Sequence, residues 1–210
     1  MTNSRDRQRQ EKISKDIRAL KGLYPDAHCE LDFSNPFELL IATILSAQCT
    51  DQRVNMVTPE LFRQFPDPKS MAGAELEVVE SIIRSTGFYR NKAKSLIGAS
   101  KALVQHGNGD LPRSLEELQK LPGVGRKTAN VVLGNAFHIP SGIVVDTHVQ
   151  RLSHRLGWTK AKGPEKIEAS LLNLIAQNNW ILVSHLLIWH GRRVCKARNP
   201  NCDECLLNKT

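Results

Sequence analysis

Apolar residues recur in this sequence at helical spacing, block after block, while strand-like alternation is nearly absent. Ala93, Leu96, Ile97, Leu103 and Val104 form one stripe, and Ala129, Val132, Leu133, Ala136 and Phe137 form another. The one β-rich run, Ile143 to Val145, is too short to seed a sheet and reads as a connection. The pattern predicts an all-α fold of about ten helices. Ser114 followed by Glu117 reads as a capping box, Gly87 and Gly107 as helix stops, and Pro164 as the first turn of a helix. Phe37 to Gln48 (FELLIATILSAQ) is apolar on nearly every face, so a helix there runs through the middle of a core. No internal repeat, low-complexity tract or long linker separates these blocks, so a domain boundary must fall between packed helices.

Hydrophobic residues make up 40% of 210, enough to bury one substantial core or two smaller ones. Lys and Arg total 29 against 21 Asp and Glu, a formal charge of +8. This surplus suits a polyanion, although an anionic membrane surface or simple solubility would satisfy it equally. No apolar run approaches the roughly 18 residues needed to span a bilayer, and the N-terminus is polar without a signal-like core. A cytoplasmic protein is expected. In a reducing compartment its five cysteines are not read as disulfides, and three of them, Cys195, Cys202 and Cys205, crowd into the last sixteen residues, which points to a metal.

Leu121 to Asn130 (LPGVGRKTAN) sets Gly123 and Gly125 between a short helix and a longer amphipathic one. Glycines there allow a sharp turn and close approach of a ligand, and the free N–H groups opening the second helix can cradle a phosphate. A hairpin that binds nothing fits the same residues. Arg126 and Lys127 open the second helix, where the positive end of the helix dipole and the neighbouring guanidinium favour an uncharged amine, which is a nucleophile. Lys127 could otherwise be a phosphate contact or a solvated charge.

Val145 to Val149 (VDTHV) delivers Asp146 just before a helix with Val149, Leu152 and Leu156 on one face. Asp146 or Thr147 can simply cap that helix. Paired with Lys127, the Asp146 carboxylate could instead stabilise developing positive charge or assist proton transfer. His148 reads as a supporting or packing residue.

The hairpin LPGVGRKTAN, VDTH with Asp146 nineteen residues after Lys127, HGRRVC with the cysteine series, NPFELLIATILSAQCTD and GFYRNKAKSL together resemble the endonuclease III family over most of the chain. The lysine-to-aspartate spacing is one residue longer than in the best-known member, with the extra residue placed in the Pro140 to Gly142 turn. The resemblance implies a bifunctional DNA glycosylase and AP lyase of base excision repair. Such an enzyme takes oxidised pyrimidines from duplex DNA through a lysine Schiff base and cuts the strand by β-elimination. It implies Lys127 as nucleophile and Asp146 as catalytic carboxylate. Gly123, Gly125 and Arg126 would contact DNA, Gln48 would fill the gap left by the extruded nucleotide, and Phe88 would act as an apolar wedge. Helix capping for Gln48 and core packing for Phe88 are the bland readings.

By the same resemblance, Cys195, Cys202 and Cys205 are the first three ligands of a 4Fe-4S cluster in a C-terminal loop. The fourth would fall immediately beyond Thr210, so the expectation is a chain clipped there or naturally lacking that cysteine. An outside ligand to the cluster, zinc with His190 as a further donor, or reduced free thiols are the other readings. Cys29 and Cys49 are expected to be packing residues. The implied architecture is two helical lobes, a barrel of residues 29–140 holding the helix-hairpin-helix and a second lobe of 1–28 plus 141–210, with DNA in the cleft and Lys127 facing Asp146. A monomer acting on damaged or abasic double-stranded DNA, associated with the nucleoid, is expected. A monofunctional mismatch glycosylase is disfavoured by Lys127, and a non-catalytic hairpin scaffold by Asp146.

Overall fold

The computed structural model describes residues 4–209; residues 1–3 and 210, the outermost positions of the expected second lobe, lie outside it. Its helices are α1 (Ser4–Leu23), α2 (Pro36–Leu45), α3 (Asp51–Gln64), α4 (Pro68–Ala72), α5 (Leu76–Ile83), α6 (Tyr89–Gly107), α7 (Leu115–Leu118), α8 (Arg126–Phe137), α9 (Thr147–Arg155), α10 (Pro164–Leu172) and α11 (Trp180–Arg193). Three 3-10 turns stand at Arg84–Thr86, Gln177–Asn179 and Leu206–Lys209. No strand occurs among the described residues. The chain divides into two compact units, one of Met1–Cys29 with Pro140–Thr210 and the other Glu30–Ile139.

The Glu30–Ile139 unit is organised around α2, in which Phe37 and every residue from Leu39 through Leu45 are buried. Asn35 starts this helix by accepting the Glu38 N–H at 3.0 Å, and Pro36 occupies the first turn, where a missing N–H costs nothing. The helix is shorter than its apolar run, ending at Leu45, so Ser46 to Gln48 lie in the following turn. Helices α3, α6 and α8 pack on α2. Leu96, Ala99 and Leu103 of α6 and Ala129, Val132 and Leu133 of α8 are buried at 2% exposure or less, and each large aliphatic contributes about 1.5–3 kcal/mol. Val104, at 37% exposed, falls off the buried stripe. Helix α6 runs through Gly107, and Asn108, at φ 53, supplies the left-handed stop, donating its N–H to Leu103 O. Short polar Asn tolerates that conformation, so Gly107 is not the stop.

In the other unit, α1 and α9 each pack against α11. Ile13, Ile17 and Leu20 of α1, Val149 and Leu152 of α9, and Val183, Leu186 and Leu187 of α11 share one core with Trp158. Asp16, fully buried, accepts the Trp158 indole N–H at 2.8 Å and faces Lys12 at 3.3 Å. This ties the N-terminal helix to residues far along the chain. Pro164 opens α10 as its residue type requires, after Gly163 at φ 87.

Candidate functional site

Helix α7 begins at Ser114, whose Oγ accepts the Glu117 N–H at 3.2 Å. The reciprocal half of a capping box is missing, because the Glu117 carboxylate instead takes Lys120 Nζ at 2.6 Å. The chain then turns through Leu121 to Gly125, anchored by Leu121 and Val124, which are nearly buried. The two glycines differ in kind. Gly123 sits at φ +77, and a Cβ there would lie 2.6 Å from Ser95 Cβ and 2.8 Å from Ser95 Oγ on α6. Gly125 is the N-cap of α8 at φ −89, and a Cβ there would meet nothing within 4 Å.

The N-cap of α8 is a glycine, so no N-cap side chain takes the bonds of the first-turn N–H groups. An approaching anion can take those bonds, aided by the helix dipole. Lys127, second residue of α8, is exposed at this end, and Arg126 beside it is half-buried. Ala129, Val132 and Leu133 fix the orientation of α8 by packing it on α2.

Asp146 is the N-cap of α9, its Oδ1 accepting the Val149 N–H at 2.8 Å. The capping reading is therefore realised, and Oδ2 takes no hydrogen bond among the described residues. The side chain is half-buried. His148 packs on α11, where a Cβ at Gly191 would fall 2.7 Å from its Nδ1, so this glycine is needed for the approach of the two helices. Arg151, one turn later, donates to Gly191 O at 3.0 Å and to Cys195 O at 3.0 Å.

Gln48 and Phe88 share an unusual backbone: both lie at positive φ, 53 and 48, in the left-handed region where non-glycine residues are uncommon. Gln48 is exposed and does not cap α2, whose C-cap is Ser46. Phe88 is 64% exposed, so it is not a core residue, and it stands directly before α6. Between these two turns lies a residue that sequence reasoning missed. Lys92 is 5% exposed and donates from Nζ to Leu45 O and to Thr86 O, each at 2.8 Å. Its place four residues before Leu96 on the buried stripe of α6 was the available signal.

The sequence model of the HhH-GPD superfamily of base excision DNA repair proteins matches residues 41–177. Endonuclease III of Synechocystis sp. is 55% identical over 90% of this chain and 86% of its own length. The chain belongs to the endonuclease III family. Endonuclease III of Bacillus subtilis is 47% identical over 88% of this chain and 84% of its own. A solved non-covalent endonuclease III–DNA complex superposes with a TM-score of 0.91 at 45% identity, covering 95% of this chain and 94% of that one. A trapped endonuclease III–DNA covalent intermediate, an estranged-adenine complex, superposes at 0.90 with 46% identity, over 94% and 93% of the two chains. A thermostable thymine-DNA glycosylase, 18% identical at a TM-score of 0.83, shares the fold.

The iron-sulfur binding domain of endonuclease III matches residues 195–209, so this chain carries the family's iron-sulfur segment. Three soft thiol donors lie in it, and no cysteine follows Cys205. Cys195 Sγ accepts Arg155 Nη1 at 3.3 Å, Cys205 Sγ lies 3.3 Å from His190 Nε2, and Cys202 is exposed. Among the described residues no three His, Cys, Asp or Glu side chains are gathered closely enough to hold a metal ion. The donor chemistry suits iron and sulfide, but as placed here the three thiols are not gathered into a cluster site. The loop is held by protein contacts: Arg155 also donates to Lys196 O at 2.8 Å and Ala197 O at 3.1 Å. The Arg193 guanidinium stacks 3.8 Å over the Trp189 ring. Cys29 and Cys49, expected in packing roles, are only half-buried.

Proposed function

We propose that this protein excises oxidised pyrimidines from duplex DNA and then cleaves the strand, with Lys127 as nucleophile and Asp146 as the supporting carboxylate. The observation that carries the reading is an exposed primary amine at the uncapped start of α8, directly after a turn that leaves room for a phosphate at Gly125. Phosphate contacts from Gly123, Gly125 and Arg126 fix the register of the strand, and Gln48 and Phe88 occupy the space of the extruded nucleotide. The Lys127 amine bonds to the anomeric carbon as the bond to the base breaks and the base departs with its electron pair. Ring opening gives an iminium that acidifies the adjacent sugar proton. Loss of that proton expels the 3′ phosphate by β-elimination, and hydrolysis of the imine returns the lysine. Asp146 balances positive charge as it builds on the sugar and accepts or returns protons at the amine. No step is assigned to the cysteine segment, whose loop carries exposed Lys196 and Arg198.

The domain roles follow: the hairpin and the gap-filling residues belong to the Glu30–Ile139 unit, and Asp146 to the unit completed by the N-terminal helix. Among the described residues no helix is long and apolar enough to cross a membrane. On the proposed reading the protein acts in the cytoplasm, on the nucleoid, as a monomer. Borohydride reduction during reaction with a duplex carrying one oxidised pyrimidine tests the chemistry. A covalent protein–DNA adduct is expected with the parent and none with Lys127→Ala. Absence of adduct in both, with base release intact, would reduce the protein to a monofunctional glycosylase.

A further inference from the structure

Lys92 is an ammonium enclosed by the Glu30–Ile139 unit, yet it pairs with no carboxylate among the described residues. Lysine is almost never buried without compensation, because its charge must leave water. Here the compensation is two backbone carbonyls. Leu45 is the last residue of α2 and Thr86 the last of the 3-10 turn before α6. Such terminal carbonyls have no partner within their own helix, and a cation suits the negative end of the helix dipole. The amides of the turn after α2 go elsewhere: Ser46 N–H to Ala42 O, Ala47 N–H to Ile44 O, and Cys49 N–H to Ser46 O. Lys92 therefore supplies the donor that Leu45 O takes.

The two bonded carbonyls lie three residues before Gln48 and two before Phe88. Both of these residues hold a left-handed backbone and an exposed side chain, a conformation that persists only where the surroundings over-determine it. We propose that Lys92 is a positioning residue that locks the Gln48 turn and the Phe88 turn in one register, so that both side chains enter the duplex together at the extruded nucleotide. This rests on the reading of Gln48 and Phe88 given above. One ammonium bonded to both turns makes them a single mechanical unit. Burial pushes the Lys92 amine below its ordinary value, with Cys49 acting in the opposite direction, as expected for an enclosed cation held by neutral dipoles.

The probe is a duplex in which 2-aminopurine faces a tetrahydrofuran abasic analogue, so that its fluorescence reports unstacking when protein binds. Lys92→Met keeps the stem and removes the donors. At saturating protein the binding-induced fluorescence change is expected to fall at least fivefold, with affinity for the undamaged duplex within twofold of the parent. Lys92→Arg should restore most of the signal. In a Gln48→Ala, Phe88→Ala background, adding Lys92→Met should change nothing further. A lesion of folding alone would weaken both duplexes alike. If the signal persists in folded Lys92→Met but is lost in Gln48→Ala and Phe88→Ala, the role of Lys92 is overturned. If neither alanine variant loses it, the gap-filling reading itself fails. A measurement on the parent needs no variant: native-state hydrogen exchange of amides 46–49 and 86–89 should show one common opening. Protection differing by more than tenfold between the two turns would refute the coupling.

Discussion

The hairpin holds two glycines two positions apart, and the same substitution should do opposite things to them. At Gly123 an alanine Cβ would meet Ser95 Cβ at 2.6 Å, an atom too near the α6 backbone to swing away, and the residue would be kept at φ +77. A left-handed non-glycine residue costs about 1–2 kcal/mol and a forced core contact about 1–3 kcal/mol. Gly123→Ala should thus cost roughly 2–5 kcal/mol, a large share of the stability of a typical domain. Gly125, at φ −89 and facing open space, should accept alanine for about 1 kcal/mol or less, the difference between glycine and alanine at an N-cap. What Gly125→Ala should lose is affinity, because the new methyl stands where a phosphate would approach α8. Urea denaturation followed by helical circular dichroism measures the first effect, and fluorescence anisotropy with an abasic-analogue duplex the second. A double-mutant cycle with Ser95→Gly divides the Gly123 cost: the contact part, about 1–3 kcal/mol, should appear as coupling, while the backbone part remains. Equal destabilisation at both glycines, or zero coupling to Ser95, would refute the assignment of Gly123 to packing and Gly125 to ligand access.

Asp146 should separate its two roles. Asn caps a helix as well as Asp, so Asp146→Asn should melt within about 0.5 kcal/mol of the parent while single-turnover base release slows, whereas Asp146→Ala should lose about 1 kcal/mol more stability as well. Burial, reinforced by His28, lowers His185 to about 4. The unfolded chain therefore binds a proton that the folded chain refuses between pH 6.5 and 4, so stability falls as pH falls through that window, by roughly 3 kcal/mol in all. Urea midpoints across this range should show the fall, and His185→Leu should remove that part of the slope. Asp16→Ala strips the Trp158 indole N–H of its acceptor and should cost about 1–3 kcal/mol in calorimetric melting.

The all-helical architecture was legible because burial at i, i+3 and i+4 is written directly in residue type. Ala93, Leu96, Ile97 and Leu103 lie on the inner face of α6 as their spacing demands, and Pro164 opens α10. Boundaries were less legible where two residues could serve one purpose. Asn108 rather than Gly107 ends α6, since the stop is set by which residue reaches the left-handed region first. Glu117 had a better partner in Lys120 than in the cap of its own helix, so half the capping box is absent. The apolar segment read from Phe37 to Gln48 does not continue as helix past Leu45, because composition records burial but not where the hydrogen-bond ladder stops. Asp146 satisfies the local capping rule and the resemblance at once, and no pattern in one sequence could have divided those roles. Ser95 was invisible for a different cause, since it matters through its approach to a distant turn; for Lys92 periodicity marks the burial, on the stripe of Leu96, but not the carbonyls it reaches.

Five non-glycine residues hold positive φ among the described residues: Gln48, Phe88, Asn108, His138 and Asn199. Two are explained by their neighbours, since Asn108 and His138 end α6 and α8 and return their N–H groups to Leu103 O and Leu133 O. Asn199 is of the residue type that tolerates this region. Gln48 and Phe88 are neither small, nor Asx-like, nor helix stops, so local preference points away from the conformation they hold. Each such residue stores about 1–3 kcal/mol of strain, which must be balanced by what surrounds it. Lys92 is bonded to the helix ends leading into both. A sequence that sets an aromatic ring in solvent, strains its backbone and anchors the turn with a buried charge has fixed the direction of that ring before any ligand arrives. On the proposed reading, that prior ordering lets the protein enter the base stack without the further entropic penalty of organising two loose turns.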